Sequence, residues 1–255
     1  DRSLKMARDF NSRGDVELPY ASLGRSWTRN AWYESMRWGT ILVCTTVGGG
    51  VRASGREHLP RSGPALLVSN HLSFLDVFIL GLSVPRHLSY MARSSLFNPV
   101  LGPLIRSVNG FPIQRDGLGV EGLKETIRRL KQGAMVLVFP EGTRSATGEL
   151  GEFRPGLVSL AARTKASIIP AALAGTFESW PRDRMLPRPH DVHVHFGPCL
   201  PPSQFIDRDS DSALALVRGS AVPASMSRTA PRASAIALRR SIFLPVASIW
   251  AITGS

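Results

Sequence analysis

The sequence predicts an α/β protein, with one domain in which helices flank a central sheet that is largely parallel or mixed. Short apolar runs of strand length alternate along the chain with segments of helical periodicity, and this alternation is typical of a parallel sheet. The 255 residues are 43% hydrophobic, which suits one large domain, or a domain with tails.

The predicted elements follow one another from residue 51 onward. Five short apolar runs are predicted strands: 65–69, 110–115, 134–139, 166–173 and 192–197. FLDVFILGL (74–82) is too apolar for a surface helix and predicts a buried one. Segment 119–133 predicts an amphipathic helix that stops at Gly133. Segment 154–164 predicts another helix, with Pro155 in its first turn.

Composition predicts three parts of the chain. Residues 1–50 are predicted to be a polar tail (1–26) and an amphipathic helix (27–50), because Trp, Tyr and Arg adjoin an apolar run that is too short to span a bilayer. This pattern favours a helix at the lipid–water boundary, and a helix packed on the domain is the alternative. Residues 51–211 form the predicted globular domain. Residues 212–255 hold five Arg and no acid, which predicts a separate segment: a disordered basic tail, a lipid-contacting element or an out-of-frame coding end.

The charge balance predicts anionic partners. Lys and Arg number 31 against 19 acidic residues, a net charge of +12, which suits nucleic acid, anionic lipid or phosphorylated metabolites. The chain has no helix-turn-helix, zinc-finger or stacking-aromatic pattern, so nucleic acid is not expected. His193 and His195 share one strand face without the further ligands of a metal site, so no metal is expected. The lack of a GxSxG motif argues against a serine hydrolase.

The stretch NHLSFLD places a histidine and an acid at a strand–helix junction. His71 follows the strand 65–69, and Asp76 falls in the first turns of the next helix. Positions five apart do not share a helix face, so contact requires the chain to bend before the helix. Asp76 would then accept the Nδ1 proton of His71 and leave Nε2 free to take a proton. Taken alone, the pattern favours a capping histidine and a hydrogen-bonded buried aspartate.

A second stretch, VFPEGTRS (138–145), runs from a strand into a loop suited to an anion. Gly142 lets the backbone approach a ligand closely, and Arg144 offers a planar fork that matches phosphate. Thr143 adds a neutral donor, and Glu141 is expected to orient the arginine or hold the loop. The alternative is an ordinary turn with a surface arginine.

Two further segments carry single candidates. Arg115 ends the predicted strand of GFPIQR, where the alternative is a solvated charge before a turn. Pro170 interrupts the predicted strand 166–173, which is consistent with an edge strand or a pocket wall.

In this order and spacing, the four segments resemble the glycerolipid acyltransferase family that includes 1-acyl-glycerol-3-phosphate acyltransferases. NHLSFLD matches its NHxxxxD block, GFPIQR its arginine block, FPEGTRS its most recognisable block and IIPAAL its proline block. The resemblance extends over about residues 30 to 205, and each block alone is a modest signal.

The resemblance implies an enzyme that moves an acyl group from acyl-CoA or acyl carrier protein to a glycerol hydroxyl, with no metal or other cofactor. His71 would be the general base and Asp76 would fix its tautomer. The implied substrate-binding residues are Asn70, Arg115, Glu141, Gly142, Thr143, Arg144 and Pro170. Arg115 would bind the acceptor phosphate in a pocket shared with residues 141–144, and Pro170 would shape the acyl end.

The expected acceptor is lysophosphatidic acid, which would give phosphatidic acid. Glycerol-3-phosphate or a lyso-aminolipid remains an alternative acceptor, and a non-catalytic lipid- or anion-binding protein of the same fold remains an alternative function. The expected location is a membrane surface, at the cytoplasmic face of a bacterial inner membrane.

Overall fold

A seven-stranded mixed sheet forms the centre of the structure, with its strands in the order β1-β7-β6-β2-β5-β3-β4. The computed structural model describes residues 31–33, 35–36, 50–113, 119–153, 156–205 and 208–221. The chain divides into the units Asp1–Ala221 and Val222–Ser255, and the described residues all belong to the first. The strands are β1 Val51–Ser54, β2 Ala65–Ser69, β3 Leu88–Arg93, β4 Gly110–Ile113, β5 Met135–Val138, β6 Ser167–Ala174 and β7 Val192–Phe196.

Five neighbouring strands run in one direction. β2 pairs in parallel with both β5 and β6, and β3 pairs in parallel with both β5 and β4. β7 is antiparallel to β6, and β1 is parallel to β7. The carboxyl ends of β2, β3, β4, β5 and β6 therefore meet at one edge of the sheet, where α/β proteins place ligand sites.

Helices cover both faces of the sheet. The α-helices are α1 Leu75–Ser83, α2 Leu101–Ser107, α3 Gly119–Lys131, α4 Leu157–Thr164, α5 Thr176–Ser179 and α6 Ser210–Ala221, and 3-10 turns occupy Arg56–His58, Ser94–Leu96 and Pro202–Gln204. Alternate residues of β2 point to opposite sides. Leu66 and Val68 therefore join the core beneath α3, α4 and α6, whereas Leu67 joins the core beneath α1. The predicted α/β fold, with a mixed, largely parallel sheet between helices, is confirmed.

Of the two positions expected for Pro170, an edge strand or a pocket wall, the edge strand is wrong. β6 lies between β7 and β2, and Pro170 is buried opposite Val68 of β2. The proline fits this interior strand because β7 pairing begins one residue later, at Ala171, while Ile168 bridges to Leu200. Proline has no backbone N–H, and Pro170 lies between these two pairings, where the ladder of hydrogen bonds from β6 is interrupted. The Pro170 carbonyl still accepts from Gly197 N–H at 2.8 Å.

The apolar run 74–82 does form a helix, but α1 is not wholly buried as predicted. Phe74, which caps it, is 47% exposed and Phe78 is 50% exposed, whereas Ile79 and Leu80 lie in the core. The run carries more apolar side chains than one face of the sheet can cover, so α1 presents an apolar stripe to solvent.

The folded domain continues past the boundary at 211 that composition predicts. α6 runs to Ala221, and Ala213 and Val217 are buried against α4 and β6. These two residues are one helical turn apart, so an Ala- and Ser-rich segment still supplies an apolar stripe. Residues 222–255 of the predicted tail lie outside the described residues.

Most of the predicted amphipathic segment 27–50 also lies outside the described residues. Residues 31–33 and 35–36 are helical. Tyr33 is buried, its hydroxyl accepts from Leu88 N–H at 3.2 Å, and its ring lies 4.0 Å from that of His87. In the described part of the chain, no helix is long and apolar enough to cross a bilayer.

Candidate active site

His71 and Asp76 are in direct contact in the turn formed by residues 70–76. His71 Nδ1 lies 2.9 Å from Asp76 Oδ2. The contact is possible because β2 ends at Ser69 and α1 begins only at Leu75, so His71 precedes the helix and the chain bends back. The bend that the NHLSFLD spacing requires is therefore present.

The Asp76 carboxylate accepts several hydrogen bonds. Its Oδ2 also accepts from the backbone N–H groups of Leu72 at 2.6 Å and Ser73 at 2.8 Å, and the side chain is fully buried. Two backbone donors on one oxygen favour the ionised carboxylate. His71 Nδ1 must then be the donor in its contact with Asp76, which leaves Nε2 as the acceptor of the neutral ring. The His71 side chain is 19% exposed, so a substrate proton can reach the ring.

The loop formed by residues 139–145 packs against this turn. The His71 ring stacks on Phe139 with centroids 3.9 Å apart and planes 11° apart. Ser145 N–H donates to the His71 carbonyl at 2.7 Å. These contacts fix the ring plane and the backbone of His71.

Glu141 holds loops together. Its Oε1 accepts from His71 N–H and its Oε2 from Gly151 N–H, each at 2.9 Å. The side chain is buried, so both bonds are shielded from water. Of the two roles expected for Glu141, holding the loop is the one these bonds support.

Asn70 ties the end of β2 to the end of β6. Its Nδ2 donates to Leu173 O at 2.9 Å, and its Oδ1 accepts from Leu173 N–H at 2.8 Å. The amide thus satisfies a backbone pair just past the last β2–β6 register pair, Ser69 with Ala171. The side chain expected to bind substrate is engaged with the backbone.

Arg144 lies over the turn with spare donor capacity. Its guanidinium carbon is 3.6 Å from the centre of the Phe74 ring, and its Nη1 is buried with no hydrogen-bond partner among the described residues. Burial lowers the pKa of the Arg144 guanidinium, and Arg182 and Arg93 lower this pKa further while Asp76 raises it. Two further cations therefore lie near Arg144, and an anion bound there would relieve their repulsion.

The remaining expected residues fall into different places. Gly142 and Thr143 are exposed at the tip of the 139–145 loop, where Gly142 has a φ of 70° and donates to Phe139 O at 3.0 Å. A left-handed φ favours glycine in this turn. Pro170 lies in the middle of β6, away from its carboxyl end. Arg115 lies outside the described residues, beyond the end of β4.

Sequence reasoning did not identify the contact between the 70–76 turn and Trp180. Ser73 Oγ donates to Trp180 O at 2.8 Å and accepts from Leu75 N–H at 3.2 Å. The rings of Phe74 and Trp180 are 5.7 Å apart. The serine lies inside the NHLSFLD motif, but its partner is 107 residues away, so no local signal could connect them.

Half-buried histidines elsewhere do not form a second site. His195 Nδ1 lies 2.9 Å from Ser54 Oγ. Within the described ranges, no three His, Cys, Asp or Glu side chains are grouped closely enough to hold a metal ion.

The site is thus an aspartate-held histidine beside an arginine-bearing loop, at the carboxyl edge of an α/β sheet. A family model described as Acyltransferase matches residues 50–174. The 1-acyl-sn-glycerol-3-phosphate acyltransferase of Bacillus subtilis is 34% identical over 137 residues, which cover 53% of this chain and 68% of that protein. The chain belongs to this acyltransferase family, and the resemblance is confirmed.

Two other relatives give the extent of the similarity. The chloroplast 1-acyl-sn-glycerol-3-phosphate acyltransferase of Arabidopsis thaliana is 38% identical over 135 residues, 51% of this chain and 38% of that longer protein. The crystal structure of the 1-acyl-sn-glycerophosphate acyltransferase PlsC from Thermotoga maritima matches with a TM-score of 0.66 and 26% identity, covering 75% of this chain and 79% of that one. The residues matched by the family model, 50–174, include the 70–76 turn and the 139–145 loop.

Proposed function

We propose that this protein transfers a fatty acyl group from a thioester donor to the free hydroxyl of 1-acyl-glycerol-3-phosphate, forming phosphatidic acid, with His71 as the general base. The observation that carries the proposal is the 2.9 Å contact of His71 Nδ1 with the buried Asp76. The relatives named above as 1-acyl-sn-glycerol-3-phosphate acyltransferases support the choice of acceptor.

The reaction needs a base because a hydroxyl is a poor nucleophile at neutral pH. Nε2 of His71 takes the hydroxyl proton as the oxygen attacks the thioester carbonyl carbon. The new ester C–O bond forms, the C–S bond breaks, and the thiolate leaves with the bonding electron pair. Because a thiolate is a good leaving group, the proton on Nε2 returns to the thiolate or to solvent, and no covalent acyl-enzyme is required.

Asp76 acts through His71. Its ionised Oδ2 holds the Nδ1–H tautomer and stabilises the imidazolium formed when Nε2 is protonated. The 139–145 loop contributes by fixing the ring plane through Phe139 and the backbone through Glu141 and Ser145. The base is therefore preorganised before substrate arrives.

The acceptor phosphate is assigned to Arg144. Its unpartnered Nη1 and its position over Phe74, beside the His71–Asp76 pair, suit an anion within reach of the base. Thr143 adds a donor at the exposed tip of the same loop, where Gly142 allows the backbone to turn. Arg115 is a further phosphate ligand by resemblance to the family.

The donor and the location belong to the same proposal. Acyl-CoA and acyl carrier protein are both anionic thioester carriers, which suits a chain of net charge +12. The same charge favours the anionic cytoplasmic face of a membrane, where a lysophospholipid acceptor resides.

The test is product identification with matched histidine variants. Purified protein is given lysophosphatidic acid, glycerol-3-phosphate and lyso-aminolipids together, with acyl-CoA or acyl carrier protein as donor, and products are identified by mass spectrometry. Phosphatidic acid is expected from the wild type, with His71→Ala about 10²–10⁴-fold slower. His195→Ala, at a strand histidine paired with Ser54, is the control and should keep wild-type turnover. Equal activity of His71→Ala and wild type would overturn the assignment of the base, and a different acylated product would overturn the acceptor.

A further inference from the structure

The segment between α5 and β7 carries an exposed apolar pair within a basic loop. Residues 181–188, here called the 181–188 loop, read PRDRMLPR and are exposed except for Pro181. Met185 is 90% exposed and Leu186 is 73% exposed. Arg182, Arg184 and Arg188 surround them with a single acid, Asp183.

This loop has a defined conformation that keeps its apolar tip in water. Its ends are joined, because Arg188 N–H donates to Ser179 O at 2.8 Å and Ser179 Oγ donates to Arg188 O at 2.9 Å. Across the loop, Trp180 Nε1 donates to Arg184 O at 2.9 Å. Burying large aliphatic side chains is favourable, and the free energy of this burial is lost while they stay exposed. An apolar loop tip that hydrogen bonds hold in water therefore indicates a partner that covers it.

The loop also lies directly beside the candidate active site. Trp180, at its base, accepts the hydrogen bond from Ser73 and faces Phe74 of the 70–76 turn. Exposed Phe78 continues the apolar stripe of Phe74 one turn further along α1. The base of the 181–188 loop is therefore in direct contact with the turn that carries His71.

We infer that the 181–188 loop is a membrane-docking element, in which Met185 and Leu186 enter the headgroup region of an anionic bilayer and the flanking arginines bind its lipid phosphates. At the surface of an anionic bilayer, exposed apolar side chains contact the acyl chains and neighbouring cations contact the charged headgroups. A protein partner would need complementary acidic groups around an apolar socket, which no observation supplies. The inference rests on the proposed function, which requires a lipid acceptor at the 70–76 turn.

A second exposed apolar surface fits this role less well. Val100, Leu101 and Leu104 on α2 are also exposed. However, Trp32 from the N-terminal part of this chain donates to Ser107 at the end of α2, at 2.9 Å, so another part of the same chain lies beside that face. Met185 and Leu186 are also 90% and 73% exposed, whereas Leu101 and Leu104 are 41% and 44% exposed.

Sedimentation of the full-length protein with vesicles tests the loop without turnover. Vesicles of phosphatidylglycerol and phosphatidylcholine are compared with phosphatidylcholine alone. The double variant Met185→Ser/Leu186→Ser should bind anionic vesicles about tenfold or more weakly, because binding scales with buried apolar area. The conservative pair Met185→Leu/Leu186→Ile should restore wild-type binding.

Charge variants distinguish a local contact from the overall charge of the chain. Arg182→Gln/Arg184→Gln should weaken binding about fivefold per arginine at low salt. The matched control is Arg61→Gln/Lys131→Gln, which removes the same charge from exposed positions that precede β2 and β5, at the opposite edge of the sheet. Wild-type vesicle affinity of the Met185→Ser/Leu186→Ser variant, or equal losses in the two charge variants, would overturn the inference.

Activity measurements separate this inference from the proposed function. Met185→Ser/Leu186→Ser should keep wild-type turnover on a water-soluble short-chain lysophosphatidic acid and lose turnover only on vesicle-borne acceptor. His71→Ala should bind vesicles as the wild type does. Vesicle binding that depends on the loop in a protein without acyl transfer would overturn the proposed function and support the docking element.

Discussion

Glu141 Oε1 accepts the backbone N–H of His71 at 2.9 Å, so the acid of the FPEGTRS motif positions the histidine of the NHLSFLD motif through its main chain. The second oxygen holds Gly151. The two motifs are therefore parts of one rigid unit, although 70 residues separate this pair.

Replacing Glu141 should lower turnover more than acceptor binding. Glu141→Ala leaves two shielded N–H groups without an acceptor, which costs about 1–3 kcal/mol each, and lets His71 move. We expect kcat to fall about 100-fold, the scale of a misplacement of about 1 Å, with acceptor KM within about threefold. Steady-state kinetics and thermal unfolding measure the two effects. Glu141→Gln should recover part of the loss, since its amide keeps one acceptor. A large rise in KM with unchanged kcat would instead indicate direct substrate binding.

Asp76→Asn tests the orientation of the base. The amide oxygen can take the place of Oδ2 in all three contacts, but the side chain loses the negative charge that stabilises the protonated ring of His71. We expect kcat to fall about 10²–10⁴-fold, with a circular dichroism spectrum like that of the wild type. A variant that folds and keeps wild-type kcat would show that the charge of Asp76 does not contribute to the function of His71 as a base.

Arg144 and Phe74 should act together on acceptor affinity. A charge-assisted contact contributes about 1.5–3 kcal/mol, so Arg144→Ala should raise KM for lysophosphatidic acid roughly 10- to 100-fold. Phe74→Ala removes the surface on which the guanidinium lies and should raise the same KM several-fold. In a double-mutant cycle the two effects should be less than additive, and strict additivity would show that Phe74 does not position Arg144.

Asn70→Ala should destabilise the fold at the junction of β2 and β6. The substitution leaves the N–H and C=O of Leu173 without their partner, at about 1–3 kcal/mol per group. Chemical denaturation should show a lower free energy of unfolding, with turnover reduced because His71 is the next residue. Asn70→Asp is the comparison, since it keeps the acceptor for Leu173 N–H but places a carboxylate against Leu173 O. Unchanged stability of Asn70→Ala would indicate that water replaces the amide fully.

His193 should make stability depend on pH. Burial lowers the pKa of His193, and Arg52, its register partner on β1, lowers this pKa further. The unfolded state, with a pKa of about 6.5, then binds a proton more readily than the folded state, so the free energy of unfolding falls as pH drops below about 6.5. His193→Gln should reduce the stability loss between about pH 7.5 and about pH 5.5. Arg52→Gln should reduce it partly, and denaturation curves at the two pH values give the comparison. An identical pH dependence in His193→Gln and wild type would contradict this prediction.

The sequence predicts most of the elements because strand and helix signals are local. The apolar runs at 65–69 and 134–139 become β2 and β5, and the helical stripe through Leu123 and Ile127 becomes α3. The order of the strands depends on pairings between distant segments, so the interior position of β6 did not follow from its proline. β1, which pairs with β7, also lacked a distinct apolar run.

The His71–Asp76 contact was predictable because both partners lie in one short motif. The supporting contacts were not, since Asn70 pairs with Leu173 and Ser73 with Trp180 across more than 100 residues. Residue type still indicates that such contacts exist, because a buried amide or carboxylate needs hydrogen-bond partners. The sequence alone does not show which backbone groups are these partners.

These distant pairings have a kinetic consequence. The 70–76 turn is completed only when Leu173 and Trp180 arrive, so the chain must place β6 and α5 before His71 is held. Contacts of this sequence separation slow folding, because the loop entropy is lost before the contact energy is gained. During refolding, we expect enzymatic activity to recover no earlier than the pairing of β2 with β6, so that turnover reports on completion of that part of the sheet. A chain still emerging from the ribosome would have the NHLSFLD turn early in synthesis and a working base only after residue 180 has been added.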